Sequence, residues 1–473
     1  MFKVGEYDRA GGACMPNGTC FGNFTFGLGG FQGARGENRG GDFFVENLAE
    51  ELDTPGEYYF DRRSGKLYLF YNGTGPPPPE LEVVATQLKV LVNASGERWQ
   101  PLSGLSVEGI TFRASAYTYM EPHGVPSAGD WALERFAAMY LQNTEQVVVS
   151  GCTFERLDGN GVMLSGYNRN ATIADSDFAF IGGNAIAAWG ITNETEGDNW
   201  PAAGVDGTDG NHPRYTSVRG CSAREIGLYE KQSSFFVQAK TAQSFITGNV
   251  FFNGPRAGIN FNDGFGGGDV LSRNLVFSTC RESGDHGPFN SWDRQPFLTT
   301  VRNGTASMQM AWRTIDHNFF IDNYSPQETV DNDDGSAYYE THHNFLVFGG
   351  NGMKNDFGGH DNHHHHNVYA YVGTALSLYK APMLNGHEDR FYSNKVVLTS
   401  STSLGAPNCQ PPGKTVMLNN SYFTQSGNAT ELQECGMSFA AWQAKGEEVG
   451  STVSKTPADE TIIGWARTLL SIA

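Results

Sequence analysis

Asparagine stands before a short apolar run again and again in the second half of this chain. It precedes Val-Phe-Phe at Asn249, Leu-Val-Phe at Asn274, Phe-Phe at Asn318 and Phe-Leu-Val-Phe at Asn344. It does so again at Asn367 (Val-Tyr-Ala-Tyr), Asn394 (Lys-Val-Val-Leu) and Asn420 (Ser-Tyr-Phe), the steps being 25, 44, 26, 23, 27 and 26 residues. A coil of three short strands and three turns needs about that length, and stacked coils bury a face that no single repeat could bury alone. Each Asn then lies over the last, where its side-chain amide can hydrogen-bond along the stack. The spacing predicts an all-β chain, a right-handed parallel β-helix.

The first half follows the period less strictly, with Cys152, Asp177 and Cys221 in the ladder position at steps of 25 and 44 and Asn249 a further 28 on. Each step of 44 is one coil plus an insertion of about 20 residues, near 190–215 and 285–310, and long insertions of a solenoid collect on its binding face. Residues 1–100 read as a separate element holding a β-hairpin, 56–61 and 66–71 around a Ser-Gly turn. Residues 101–437 read as the β-helix. Residues 438–473 read as a helical cap over the open end, with Ile462, Ile463, Ala466, Leu469 and Leu470 on the apolar face of its last helix.

Composition bounds the partners. Lys and Arg total 32 against 51 Asp and Glu, a formal charge of −19, which argues against gripping a nucleic-acid backbone. No apolar stretch is long enough to span a membrane as a helix, and a monomer is expected. Ten Asn-X-Ser/Thr sequons, Asn17, Asn170 and Asn428 among them, suggest a secreted glycoprotein. The start Met1-Phe-Lys-Val-Gly-Glu carries no leader, so a leader already lost is expected. Cys14 with Cys20 and Cys409 with Cys435 are candidate disulfides, whereas Cys152, Cys221 and Cys280 read as buried apolar residues.

Used as a ruler, the period locates a site. Counted from the preceding ladder Asn, Asp263 falls at +14, Asp285 at +11, Asp333 and Asp334 at +15 and +16, His360 at +16 and Lys380 at +13. Groups in one phase line up coil above coil, about 4.8 Å per layer. Carboxylates facing one bond are what acid/base chemistry on a sugar requires, and Trp292 supplies an apolar platform for a sugar ring. Arg256, His286, Arg294 and Trp131 are candidate substrate-binding groups. Asp-Gly is also ordinary turn chemistry, so single aspartates in this stripe say less than the set. The run His363 to His366 alternates in and out along a strand and so cannot ligate one metal together; a stack or a surface tract is expected. No cofactor is expected, the acidic 331–334 run giving only a hint of calcium.

Several stretches are familiar in detail: Phe44-Val-Glu-Asn-Leu-Ala-Glu-Glu-Leu-Asp-Thr-Pro-Gly-Glu-Tyr-Tyr-Phe-Asp, Pro255-Arg-Ala-Gly-Ile, Gly284-Asp-His-Gly-Pro-Phe-Asn-Ser-Trp-Asp-Arg, Asp333-Asp-Gly-Ser and Trp442-Gln-Ala-Lys-Gly. Over nearly its whole length the chain resembles glycoside hydrolase family 141, a family of β-helix carbohydrate-active enzymes with α-L-fucosidase and xylanase activities. The resemblance implies hydrolysis of a cell-wall or other extracellular polysaccharide by two acids on nearby coils. Carried onto this sequence they are Asp293 and Asp334, with Asp333 a close substitute for the latter. Two other readings stay open. A polysaccharide lyase or uronate epimerase would lead with Arg256, Arg294, Lys380 and His286, and a non-catalytic glycan-binding solenoid would show aromatic rows without a converging acid pair.

Overall fold

The computed structural model describes residues 2–8, 14–18, 22–29, 45–124, 132–191, 210–262, 264–292, 294–295, 297–298, 309–324, 327–379, 386–399, 403–406 and 415–472. It divides into two compact units, residues 35–86 and the remainder. In the smaller unit Tyr58–Asp61 pairs antiparallel with Lys66–Leu69, the hairpin expected from the Ser-Gly turn. Asn47 braces it, donating to Phe60 O at 3.1 Å and accepting from Phe60 N at 2.8 Å.

The larger unit is a parallel β-helix. Among the described residues its strands form a first sheet of 11, a second of 12 and a third of 13, ordered monotonically along the chain apart from two short strands of the third that lie off its path. The chain passes from sheet to sheet and returns one coil higher: Ser217–Arg219 pairs with Phe245–Thr247, Ser222–Arg224 with Val250–Phe252, and Phe236–Ala239 with Ile259–Phe261. The middle residue of most strands points inward. Phe154 stacks between Phe112 (4.9 Å) and Phe178 (4.7 Å) in this way, and each such buried ring stabilises the coil by about 1.5–3 kcal/mol.

The corner between the first and second sheets carries the asparagine ladder. Each Asn Oδ1 accepts the backbone N–H of the ladder residue one coil earlier: Asn249 to Asn274 at 3.0 Å, Asn274 to Asn318 at 2.9 Å, Asn318 to Asn344 at 2.9 Å and Asn344 to Asn367 at 3.0 Å. The amide nitrogens donate to the next Oδ1 and to a carbonyl of the coil before, as Asn344 Nδ2 does to Ile315 O at 2.8 Å. These inward groups are out of water, so the ladder supplies what the solvent cannot. Below Asn249 the row continues through Cys221, whose N–H donates to Asn249 Oδ1 at 2.9 Å, and Cys152, whose N–H donates to Ser176 Oγ at 3.1 Å. The ladder member in that coil is therefore Ser176; Asp177 is one residue on and bonds Ser222 and Arg224 on the surface. Cys152, Cys221 and Cys280 are free and buried. Cys14 and Cys435 are disulfide-bonded, while Cys20 and Cys409 lie outside the described residues.

The four-histidine run resolves by alternation. His364 points into the core, its Nδ1 2.7 Å from the Tyr369 hydroxyl, and burial drives its pKa down to about 3. His365 and His366 stack at the corner on His342 and His343, with centroids 5.1 Å apart in both columns.

Two helices close the chain, α1 (Phe439–Gln443) and α2 (Asp459–Leu470). The Ser438 hydroxyl caps α1 by accepting from Ala441 N. Helix α2 lies along the outer face of the second sheet rather than across the end of the stack. Its Ile462 and Ala466 pack on Phe345, Val347, Val368, Ala370 and Val397, and Trp465 meets Phe423 at 5.1 Å. Ile463 points away from this seam and is 49% exposed. The outward residues of those strands are apolar, so the flank needs cover more than the end does.

Candidate active site

Consecutive strands of the third sheet carry the densest polar cluster: β1 (Ile259–Phe261), β2 (Phe289–Trp292), β3 (Glu328–Asp333), β4 (Asn351–Asp356) and β5 (Thr374–Tyr379). Ile259, Phe289, Val330, Met353 and Leu376 pair in register and all belong to the core. Strand alternation then turns the following residue of each outward. One outer column runs Asn260, Asn290, Asp331, Lys354, Ser377, and two residues along a second runs Trp292, Asp333, Asp356.

Lys354 Nζ sits among three carboxylates, 2.8 Å from Asp331 Oδ1, 3.1 Å from Asp333 Oδ1 and 3.3 Å from Asp356 Oδ2. Burial would strip its proton, but Asp331, Asp333, Glu328 and Asp356 outweigh that and hold the ammonium charged. Asp331 is fully buried. Its other oxygen accepts from His286 Nδ1 at 2.8 Å and from Asn290 Nδ2 at 3.2 Å. Burial and the nearby Arg256 guanidinium push His286 down to about 3, so the ring is neutral and serves as a hydrogen-bonding brace. Gly287, next to it, lets the coil pass within reach of Glu328: a Cβ there would lie 1.8 Å from that carbonyl oxygen.

Four carboxylates around one ammonium cannot all ionise together at neutral pH. Asp334 is half-buried; burial and the neighbouring Asp333 raise it to about 6. Asp356 rises to about 7, chiefly by burial and against the pull of Lys354, with Asp333 and Asp331 adding repulsion. One oxygen each from Asp333, Asp334 and Asp356 lie within 4.8 Å of one another, as do one ligand atom each from His286, Asp331 and Asp333. The face thus holds carboxyl groups of different proton affinity within a sugar ring's reach of one another, with Trp292 alongside, its backbone paired to Asp333.

Of the residues singled out from the sequence, Asp333, Asp334, His286 and Trp292 meet on this face. Arg256 is buried beneath it, 3.4 Å from Asp285, whose backbone takes a left-handed conformation (φ 87°). His360 lies on the turn after β4, with its Nδ1 on Asp361. Asp263, Asp293, Lys380 and Trp131 lie outside the described residues, as does the side chain of Arg294, whose backbone pairs with Gly264. The period missed Asp331, Lys354 and Asp356. A signal for them was present: β3 and β4 end in Asp-Asn-Asp and Lys-Asn-Asp, 23 residues apart, and one pleat puts both outer residues of each triplet on one face.

No protein-family model matches the chain, and no curated protein matches it. Among solved structures it is similar to one described as a glycoside hydrolase, with 15% identity and a TM-score of 0.48 over 69% of this chain and 57% of that one. It is also similar to XylC in complex with xylose (10% identity, TM-score 0.32, 67% of this chain and 50% of that one). A third is the catalytic domain of a GH87 α-1,3-glucanase in complex with nigerose (10% identity, TM-score 0.29, 80% of this chain and 70% of that one). The chain spans about half the length of the first two. At this level of similarity, function has to be sought in the residues themselves.

Proposed function

We propose that this chain is a glycoside hydrolase that cleaves a polysaccharide or oligosaccharide on the outer face of the third sheet. The observation that carries the reading is the convergence of Asp333, Asp334 and Asp356, oxygens within 4.8 Å of one another, with Asp334 raised to about 6. A carboxyl group that keeps its proton near neutrality can protonate a leaving glycosidic oxygen, while an ionised neighbour attacks the anomeric carbon or activates water. Asp334 takes the acid role in this reading and Asp333 the second role, since Asp356, raised to about 7, keeps its proton wherever Asp334 does. Asp293, which the resemblance to family 141 pairs with Asp334, is the other candidate for that second role. Carboxyl groups about 5 Å apart go with retention of the anomeric configuration.

A lyase or epimerase would need a cation available to a substrate carboxylate. Lys354 is already surrounded by three acids, which favours a substrate without uronate at the cleavage point. We further place the protein in the secretory pathway, in keeping with the disulfides of Cys14 and Cys435; a mobility shift of the secreted protein on treatment with N-glycosidase tests that. Among the described residues no helix is long and apolar enough to cross a membrane.

The test is a screen of the purified protein and of Asp334→Asn against fucosylated, xylan-type and uronate-containing polysaccharides, with the anomer of the first product read by NMR. New reducing ends that the variant fails to produce support the reading. An unsaturated, ultraviolet-absorbing product would overturn it, as would a fully active Asp334→Asn for that residue's role.

A further inference from the structure

Three consecutive coils bring a second constellation together on the turn that follows β4. His360 Nδ1 and His387 Nδ1 both donate to the same oxygen of Asp361, at 2.7 and 2.5 Å, and the two imidazole centroids lie 4.2 Å apart. Tyr338, one coil earlier, sets its ring in a T-shaped contact with His360 at 5.3 Å. The side chains of His360, Asp361 and His387 are 13%, 19% and 33% exposed, so the group is fixed yet open to water.

Backbone geometry fixes this arrangement. His360 bridges to Ala337 in the coil before, and Asp361 N donates to Glu388 O in the coil after at 3.1 Å. Asp361 itself adopts the left-handed conformation (φ 53°), which aims its carboxylate between the rings.

We propose that His360, Asp361 and His387 form a binding site for a divalent transition ion, with Zn²⁺ as the reference ion. Two imidazole nitrogens and a carboxylate oxygen are a borderline donor set that suits zinc and its neighbours better than calcium. The three ligand atoms lie within 4.8 Å of one another. Zinc–ligand bonds of about 2.0–2.2 Å put tetrahedral neighbours about 3.3–3.5 Å apart. Occupation therefore asks each imidazole to move its proton from Nδ1 to Nε2 and to draw back from the carboxylate by less than about 1 Å, with water in the fourth position. The site stands apart from the acidic face and does not depend on the hydrolase reading.

The experiment is titration of Zn²⁺ into the chelator-treated full-length protein by calorimetry, with Co²⁺ absorption as an independent readout. Two variants are compared, His387→Gln with Asp361→Asn and, as a control for the histidine stack, His343→Gln with His366→Gln; circular dichroism verifies that both are folded. One equivalent of Zn²⁺ in the wild type, weakened in the first variant by more than the roughly 10–100-fold that loss of a mere supporting partner costs and kept in the second, is the expected result. Cobalt d–d bands lost in the first variant alone add to it. Absence of stoichiometric uptake, or a loss that follows the stack variant instead, would overturn the proposal.

Discussion

The Lys354 ammonium lies 2.8 Å from Asp331 Oδ1, on a strand whose next outward residue is another acid. Asp331 is fully buried and Lys354 nearly so. Breaking such a pair leaves an uncompensated charge out of water. Lys354→Met is expected to cost about 3–5 kcal/mol, read from urea denaturation at pH 7. Adding Asp331→Asn should recover part of that loss, because the stranded carboxylate is then gone. A double variant no more stable than the single one would mean that the loss comes from packing of the lysine stem.

Asp334 carries the acid role in the proposed reaction. Its removal as Asp334→Asn should lower kcat by about 10²–10⁴-fold with the thermal midpoint preserved. A general acid works while protonated, so wild-type activity should fall as pH rises through about 6, the value to which burial and Asp333 raise this group. A pH–rate profile that keeps rising through neutrality would remove Asp334 from that role.

Asp322 supplies a pH test of stability rather than of catalysis. Burial and Glu328 raise its native pKa to about 9, far above its value in an unfolded chain. Between those values the folded protein holds a proton that the unfolded chain has released, so this group's contribution to stability declines as pH climbs from about 4 to about 9. The buried His286 and His364, both lowered to about 3, act in the opposite sense only below about 6.5. The net decline should therefore be visible between pH 6.5 and 9. Asp322→Asn should reduce it, with Glu328 (raised to about 8) and Asp356 (raised to about 7) keeping the remainder, measured as the shift in denaturation midpoint between those two pH values.

Asn344 is an interior step of the ladder, accepting from Asn318 N and Nδ2 at 2.9 and 3.0 Å. Asn344→Ala leaves buried donors unmatched at about 1–3 kcal/mol each. Serine already serves as a ladder acceptor in two places, with Ser176 taking Cys152 N and Ser451 taking Asn420 N. Asn344→Ser should consequently lower the urea midpoint less than Asn344→Ala does. Equal losses would show that the amide's remaining bonds, not its acceptor, are what the coil needs.

The hairpin, the period and the fold class were legible because a solenoid repeats its demands: each coil needs one inward acceptor at the same corner, and Asn meets it. The second member of the row, Ser176, was hidden because a hydroxyl can do the same work without looking like asparagine, which drew attention to Asp177. The site was harder. Counting from Asn318 and Asn344 finds turn residues such as Asp334 and His360, but the turns between sheets vary in length and the phase drifts. Lys354 and Asp356 become visible only when β4 is laid on β3 in register, where alternation matters and the count does not. The charge balance that settles which acid keeps its proton is a property of three strands at once, and no local motif carries it.

The ladder also has a direction. Each main-chain N–H bond given for it runs from one coil to a side chain of the coil that follows, so these donors are met by a coil's successor rather than by its predecessor. A stack cut at any level would present an unmet N–H on the side facing the missing C-terminal coils and an idle amide oxygen on the other. Its two ends are chemically unlike, and only the later one leaves a main-chain donor that demands a stopper. At Asn420 that stopper is the Ser451 hydroxyl, 2.8 Å away, itself bonded to Glu448.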